Sequence, residues 1–165
     1  MRISSLEEYG LRCMMALART GLNGQLSIPE IAKCEGLSVP YASKLLSILR
    51  KAKLVNAVRG RGGGFCISRP SAEITLLDVI TALGGPMIDP DHCNKFSGNE
   101  EECVHIDDCS VHNIFNSLAG YMEDMLSKTT LQDILDREHA ILARKVITPD
   151  SLFKSEIKQQ DSKPN

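Results

Sequence analysis

Three cysteines, Cys93, Cys103 and Cys109, share one stretch of chain with the spacing C-x9-C-x5-C, and His112 follows as C-x2-H. Three thiols and an imidazole within twenty residues form a metal-ligand set. Their neighbours are Asn, Glu, Asp, His and Gly rather than an apolar run, so core packing does not explain them. The stretch carries Asp89, Asp91, Glu100, Glu101, Glu102, Asp107 and Asp108 against one Lys95. A loop so polar has little apolar surface to hold it closed, and a bound metal would order it. Zinc favours two close knuckles, and only the Cys109/His112 end looks like one. Wide, uneven spacing suits an iron–sulfur cluster (2Fe-2S or 4Fe-4S), whose thiolates must reach several irons. Metal-free redox thiols are the third reading. His92 and His105 flank the cysteines and are substitute ligands. Cys13, Cys34 and Cys66 read instead as small buried hydrophobes. Cys109 with His112 is the one local nucleophile–base pair, and no cofactor loop accompanies it, so an enzyme is not expected.

The elements that must position this set are mainly helical. Ser5 with Glu8 fits a capping box for a first helix from about Leu6 to Thr20, ended by Gly21-Leu22-Asn23-Gly24. Ser27 with Glu30 caps a short second helix, with Pro29 tolerated in its first turn, and Gly36 stops it. Ser38 caps a third helix, whose Leu45, Leu46, Ile48 and Leu49 have helical spacing. Two short helices joined through Glu35-Gly36-Leu37-Ser38 make a helix-turn-helix pattern. Leu54–Val58 and Phe65–Ser68 read as two strands around Arg59-Gly60-Arg61-Gly62-Gly63-Gly64, a hairpin tipped with two arginines: a wing. No Gly-Lys-Ser/Thr follows those glycines, which argues against a nucleotide loop. Thr75 with Asp78 caps a fourth helix over Leu76–Leu83. A long helix follows from about Val111 to Ser127 with an apolar stripe of Ile114, Leu118, Tyr121, Met122, Met125 and Leu126, and Thr130 opens a last helix to about Val146.

The expected fold class is therefore mainly α with a small β-hairpin wing: a winged helix-turn-helix plus a long dimerisation helix. The expected division is 1–84 for the DNA-binding unit, 85–110 for the cysteine-bearing loop, 111–147 for the dimerisation helices and 148–165 for a flexible tail. The chain has 165 residues, 42% hydrophobic and 24% charged, enough for one packed core and too apolar for wholesale disorder. No apolar run is long enough to span a membrane and the N-terminus carries no signal core, so a cytoplasmic protein is expected.

The net charge of −2 hides a split. Residues 1–69 hold eleven basic and four acidic residues, a balance of +7; residues 70–165 hold eight basic and seventeen acidic, a balance of −9. A basic N-terminal half is the footprint of a polyanion partner. The first turns of a recognition helix face the major groove, and here they carry Ser38, Tyr41, Ser43 and Lys44, whose hydroxyls and ammonium suit phosphates and base edges. Arg59 and Arg61 at the wing tip suit a minor groove, whose negative potential attracts arginine. One such head has a small footprint. The wide apolar stripe of the long helix supplies a second through a homodimer that reads an imperfect palindromic operator in double-stranded DNA.

Together these residues resemble the IscR/NsrR-type family of bacterial winged-helix transcription regulators, which sense through iron–sulfur clusters. The resemblance is carried by Met1-Arg2-Ile3 and Tyr9, Gly36-Leu37-Ser38 with Tyr41, and Leu54-Val55 leading to Arg59-Gly60…Gly62-Gly63-Gly64-Phe65. It continues in Ile74-Thr75-Leu76…Val79-Ile80, the three loop cysteines and Thr130-Leu131, covering about residues 1–135. It implies a homodimeric regulator whose cluster state sets DNA affinity, with Ser38, Tyr41, Ser43 and Lys44 on the recognition helix, Arg59 on the wing and Cys93, Cys103 and Cys109 as cluster thiols. It further implies a fourth ligand: His112, by likeness to the members with a histidine after the third cysteine, or Glu8 donated by the other subunit. His112 is favoured because it is local. The nine-residue first gap is longer than usual for the family, and Ser43 stands where some members have an acid, so operator preference does not carry over.

Overall fold

The computed structural model describes residues 3–60, 62–88, 95, 97, 99, 103–105 and 109–145, with 141–145 described by backbone alone. Cys93, His92, Arg61 and the tail after residue 145 lie outside the described residues.

Helix α1 (Ser5–Ala18) begins with a capping box, but one residue earlier than expected. The Ser4 hydroxyl accepts from the Glu7 amide and the Glu7 carboxylate accepts from the Ser4 amide. Ser4 and Ser5 both satisfy the pattern; the earlier start adds one more helical bond, from the Glu8 amide to the Ser4 carbonyl at 3.0 Å. Glu8 is thereby released from the capping role and lies exposed. The helix ends at Ala18, two residues short of the expected Thr20.

Helix α2 (Ile28–Glu35) has the expected Ser27/Glu30 box, and Gly36 closes it at φ +67°, a left-handed position that glycine takes without a Cβ clash. Helix α3 (Val39–Lys51) follows after three residues, capped by Ser38, whose Oγ accepts from the Tyr41 amide. Strands β1 (Val55–Val58) and β2 (Gly64–Ile67) pair antiparallel, Val55 opposite Ile67 and Val58 opposite Gly64. The hairpin has a third partner that the sequence did not reveal. Leu26 and Phe65 exchange two backbone bonds of 3.0 and 2.8 Å, which ties the wing to the residue that leads into α2. A Cβ at Gly64 would collide with the Leu26 carbonyl, so this close approach requires glycine.

Helix α4 (Leu76–Gly84) is capped by Thr75 and Asp78 as expected. Helices α5 (Ser110–Ser127) and α6 (Leu131–Lys145) complete the order. A mostly helical chain with a two-stranded wing is thus the observed fold class.

The core is built from Cys13, Met14 and Leu17 of α1, Ile31 of α2, Leu45, Leu46 and Leu49 of α3, Val55 and Ile67 of the wing, and Val79 of α4. Leu131 and Leu135 of α6 belong to the same cluster, and Leu131 is fully buried. Backbone bonds from Leu76 to Thr129 and from Leu131 to Ile74 hold the start of α6 against the segment before α4. The last helix therefore seals the winged head.

Candidate functional site

Helix α3 has a sharp division of faces. Ala42, Leu45, Leu46 and Leu49 are buried, while Val39, Pro40, Ser43, Lys44, Ser47, Arg50 and Lys51 are exposed along the opposite side. The i, i+4 spacing of 39, 43 and 47 and of 40 and 44 places them on one outward strip. Ser38 is exposed; its oxygen accepts the capping bond, and its O–H is left to donate outward. Ser43 and Lys44 stand on the outward strip as the sequence suggested. Tyr41 is half-buried: its ring meets Tyr9 edge-on, centroids 6.0 Å apart at 83°, and the Arg12 guanidinium lies 5.3 Å from the Tyr9 ring centre. Its ring packs α3 on α1 as much as it faces outward. The apolar Val39 and the strip's Ser47 were missed by the sequence reading, although their spacing from Ser43 was the available signal.

At the wing, Arg59 is exposed; Gly60 and Gly62 take φ of +117° and +79°, and the Gln25 amide donates to the Gly62 carbonyl at 2.7 Å. Arg59 thus projects from a turn braced by the segment before α2. Arg61 lies outside the described residues.

The helix-turn-helix is held to α1 by a clamp the sequence did not show. Glu35 is only 9% exposed, and Arg12 and Arg19 both face it. Cys34, expected inside, is exposed. Ile31 and Ala32 set the inner face of α2, and the next residue on that face is Glu35, not Cys34.

The thiol centre begins at the head of α5. Cys109 is the N-cap, and its Sγ accepts from the His112 amide at 3.3 Å. The sulfur therefore sits at the N-terminal end of an 18-residue helix. His112 is half-buried one turn along the same helix, Cys103 and Cys109 are half-buried, and His105 is exposed. Among the described residues no disulfide joins the cysteines and no three metal-ligating side chains converge. The donor types still suit a soft metal or cluster: two thiols, one bonded by an amide, and an imidazole-bearing residue in the first turn of the same helix. Cys93, the third thiol, lies outside the described residues.

Along its length α5 presents Val111, Ile114, Leu118, Tyr121 and Met125, all exposed, with Ile114 at 69% and Tyr121 at 78%. Their steps of 3, 4, 3 and 4 residues follow the heptad spacing of apolar positions that coiled-coil helices use. Of the stripe expected from sequence, Leu126 alone is buried and Met122 is half-buried.

A recognition strip, a braced wing and a thiol-capped helix define a class of molecule, and the comparison with known families agrees. The Rrf2 model, described as an iron-dependent transcriptional regulator, matches residues 3–137. The chain belongs to the Rrf2 family. Among curated relatives, the HTH-type transcriptional regulator IscR of Sodalis glossinidius is 31% identical over 141 residues, covering 86% of this chain and 82% of that protein. Among solved structures, the T. potens IscR superposes with a TM-score of 0.67 at 29% identity, covering 84% of this chain and 88% of the other. CymR (YrzC), the global cysteine regulator of B. subtilis, superposes with a TM-score of 0.65 at 29% identity, covering 83% and 98%. The family relationship makes this Rrf2 protein a DNA-binding transcriptional regulator of the winged-helix kind, not an enzyme. Among the described residues no helix is long and apolar enough to cross a membrane.

Proposed function

We propose that this Rrf2-family regulator acts as a homodimeric repressor that senses iron–sulfur, redox or nitric-oxide status through a cluster held by Cys93, Cys103, Cys109 and His112. The observation that carries the reading is the Cys109 cap. It puts a thiol, hydrogen-bonded by the His112 amide, at the head of the same helix that bears the exposed heptad seam. Seam-to-seam pairing of two α5 helices would present two α3 strips and two Arg59 wings to the half-sites of an imperfect palindrome.

When bound, the cluster supplies a link between loop and helix that oxidation, nitrosylation or iron loss can break. The protein's own part is mechanical. Helix α5 packs on α4, and α4 packs on both α1 and α3. A change in how the loop holds the head of α5 therefore biases the spacing of the two recognition helices. To switch a promoter, the two states must differ in DNA affinity by about 1–3 kcal/mol. Glu8, exposed and outside the cap, is the alternative fourth ligand, offered from the first helix of the partner.

A second reading keeps the same head and replaces the cluster with zinc or reversible thiol oxidation. It is favoured by the likeness to the cysteine regulator, and to Staphylococcus aureus CymR in an oxidised form, 29% identical with a TM-score of 0.62. Purification without oxygen separates the two. The absorption spectrum with iron and sulfide content should show a coloured cluster in the natural protein and none in Cys103→Ala. A full cluster spectrum in that variant removes Cys103 from the ligand set. Colourless natural protein whose DNA binding follows peroxide or zinc establishes the second reading.

A further inference from the structure

We propose that Val39 is a specificity-determining residue that reads a thymine through its C5-methyl group. The inference rests on α3 being the element that enters the major groove. Val39 is the first residue of α3, directly after the Ser38 cap, where a recognition helix meets base edges. It is 47% exposed, and the core does not account for it. Leu37, Tyr41 and Ile48 pack against the core cluster from around it, while Val39 points along the outward strip with Pro40, Ser43, Lys44 and Ser47.

The strip's chemistry decides what it can read. Ser43 and Ser47 both donate and accept, so they discriminate weakly between bases. Lys44 donates to a guanine edge or a phosphate. No Asp, Glu, Asn or Gln occurs anywhere in α3 to choose cytosine or adenine. What remains is an exposed branched alkyl group with Pro40 beside it, and its complement on a major-groove edge is the thymine methyl. A β-branched side chain is stiff at χ1, so little rotamer freedom is lost when it seats there. The cations Lys44, Arg50 and Lys51 on the same face, with no acid opposing them, favour a polyanion over an apolar protein partner.

The test uses the full-length protein and duplexes that it selects from a random pool. Each thymine of the enriched operator is replaced in turn by deoxyuracil, which deletes the methyl and nothing else. One thymine per half-site should prove sensitive, its replacement weakening the natural protein about fourfold, the worth of one buried methyl. Val39→Ala, whose exposed position leaves the fold intact by circular dichroism, should bind the thymine operator less well and be indifferent to deoxyuracil at that position. An enriched operator in which every thymine tolerates replacement, or a Val39→Ala protein as sensitive as the natural one, overturns the inference and leaves the regulator reading standing. A pool from which no sequence is enriched defeats the operator reading and this inference with it. Loss of affinity in Val39→Ala that is equal for both duplexes would mean that Val39 serves another surface.

Discussion

Arg12 grips Glu35 twice: its Nε donates to the carboxylate at 2.9 Å and its Nη2 to the Glu35 backbone carbonyl at 2.9 Å. Glu35 is the last residue of α2, immediately before the left-handed Gly36 that turns the chain into α3. Arg19 stands 3.7 Å from the other carboxylate oxygen and also chelates Glu138 of α6 at 2.7 and 3.1 Å. One run of charges therefore links the sealing helix, the first helix and the turn of the reading head. A carboxylate so buried depends on its donors. Glu35→Gln should lower stability by roughly 1–3 kcal/mol, because the charge-assisted bonds are lost inside the fold. Urea unfolding followed by circular dichroism measures it, and an unchanged midpoint would show that the clamp is idle.

Acid should loosen the same helix ends. The Arg19 hydrogen bond holds the Glu138 carboxyl below its ordinary range; the Ser27 hydroxyl and amide do so for Glu30, and the Thr130 amide and hydroxyl for Asp133. Carboxylates with lowered values stabilise the fold above their unfolded pKa and lose that contribution as pH falls through the folded one. Thermal midpoints should thus be flat near neutrality with respect to these groups and fall below about pH 4.5. Midpoints that hold constant down to strong acid would contradict the sign of all three shifts.

The seam on α5 makes a direct prediction about assembly. Leu118→Glu adds a charge to an exposed position, so the winged head should stay folded while the proposed dimer dissociates. Sedimentation equilibrium at micromolar protein should then report one chain, and operator affinity should drop with it. A variant that remains dimeric would place the partner surface elsewhere.

Two thiols of the head should react very differently. Burial pushes the Cys13 thiol up to about 12, and it is fully enclosed, while Cys34 is exposed. The thiolate is the reactive form. Iodoacetamide at neutral pH should therefore label Cys34 and spare Cys13 until denaturant is added, as read by peptide mass spectrometry. Equal labelling of the native protein would refute the packing of α1.

Arg59 projects from a turn braced at Gly62. Arg59→Ala should weaken operator binding about tenfold, roughly 1–3 kcal/mol for an arginine in a groove, without altering dimerisation. Unchanged affinity at physiological salt would take the wing out of the interface.

Local signals fixed much of this protein. Ser27 with Glu30, Thr75 with Asp78, Ser38, Gly36 and the glycine-rich tip each act over a few residues, so the helix starts, the turn and the wing were readable from the chain alone. The outward positions of Ser43, Lys44 and Arg59 followed from helical and hairpin periodicity. The cysteine spacing named a ligand chemistry but not its geometry. Where two local solutions were equal, the choice fell to packing and backbone bonding: Ser4 rather than Ser5 caps α1, and Glu8 is thereby freed. Long-range partners reversed other expectations. Cys34, read as a small buried hydrophobe, is exposed, and the adjacent Glu35 is buried instead, because Arg12 and Arg19, 23 and 16 positions earlier, satisfy its carboxylate. The bare heptad seam of α5 and the burial of Leu131 are likewise tertiary facts. An apolar stripe states only that it needs cover, and whether that cover comes from the same chain depends on where every other helix has packed.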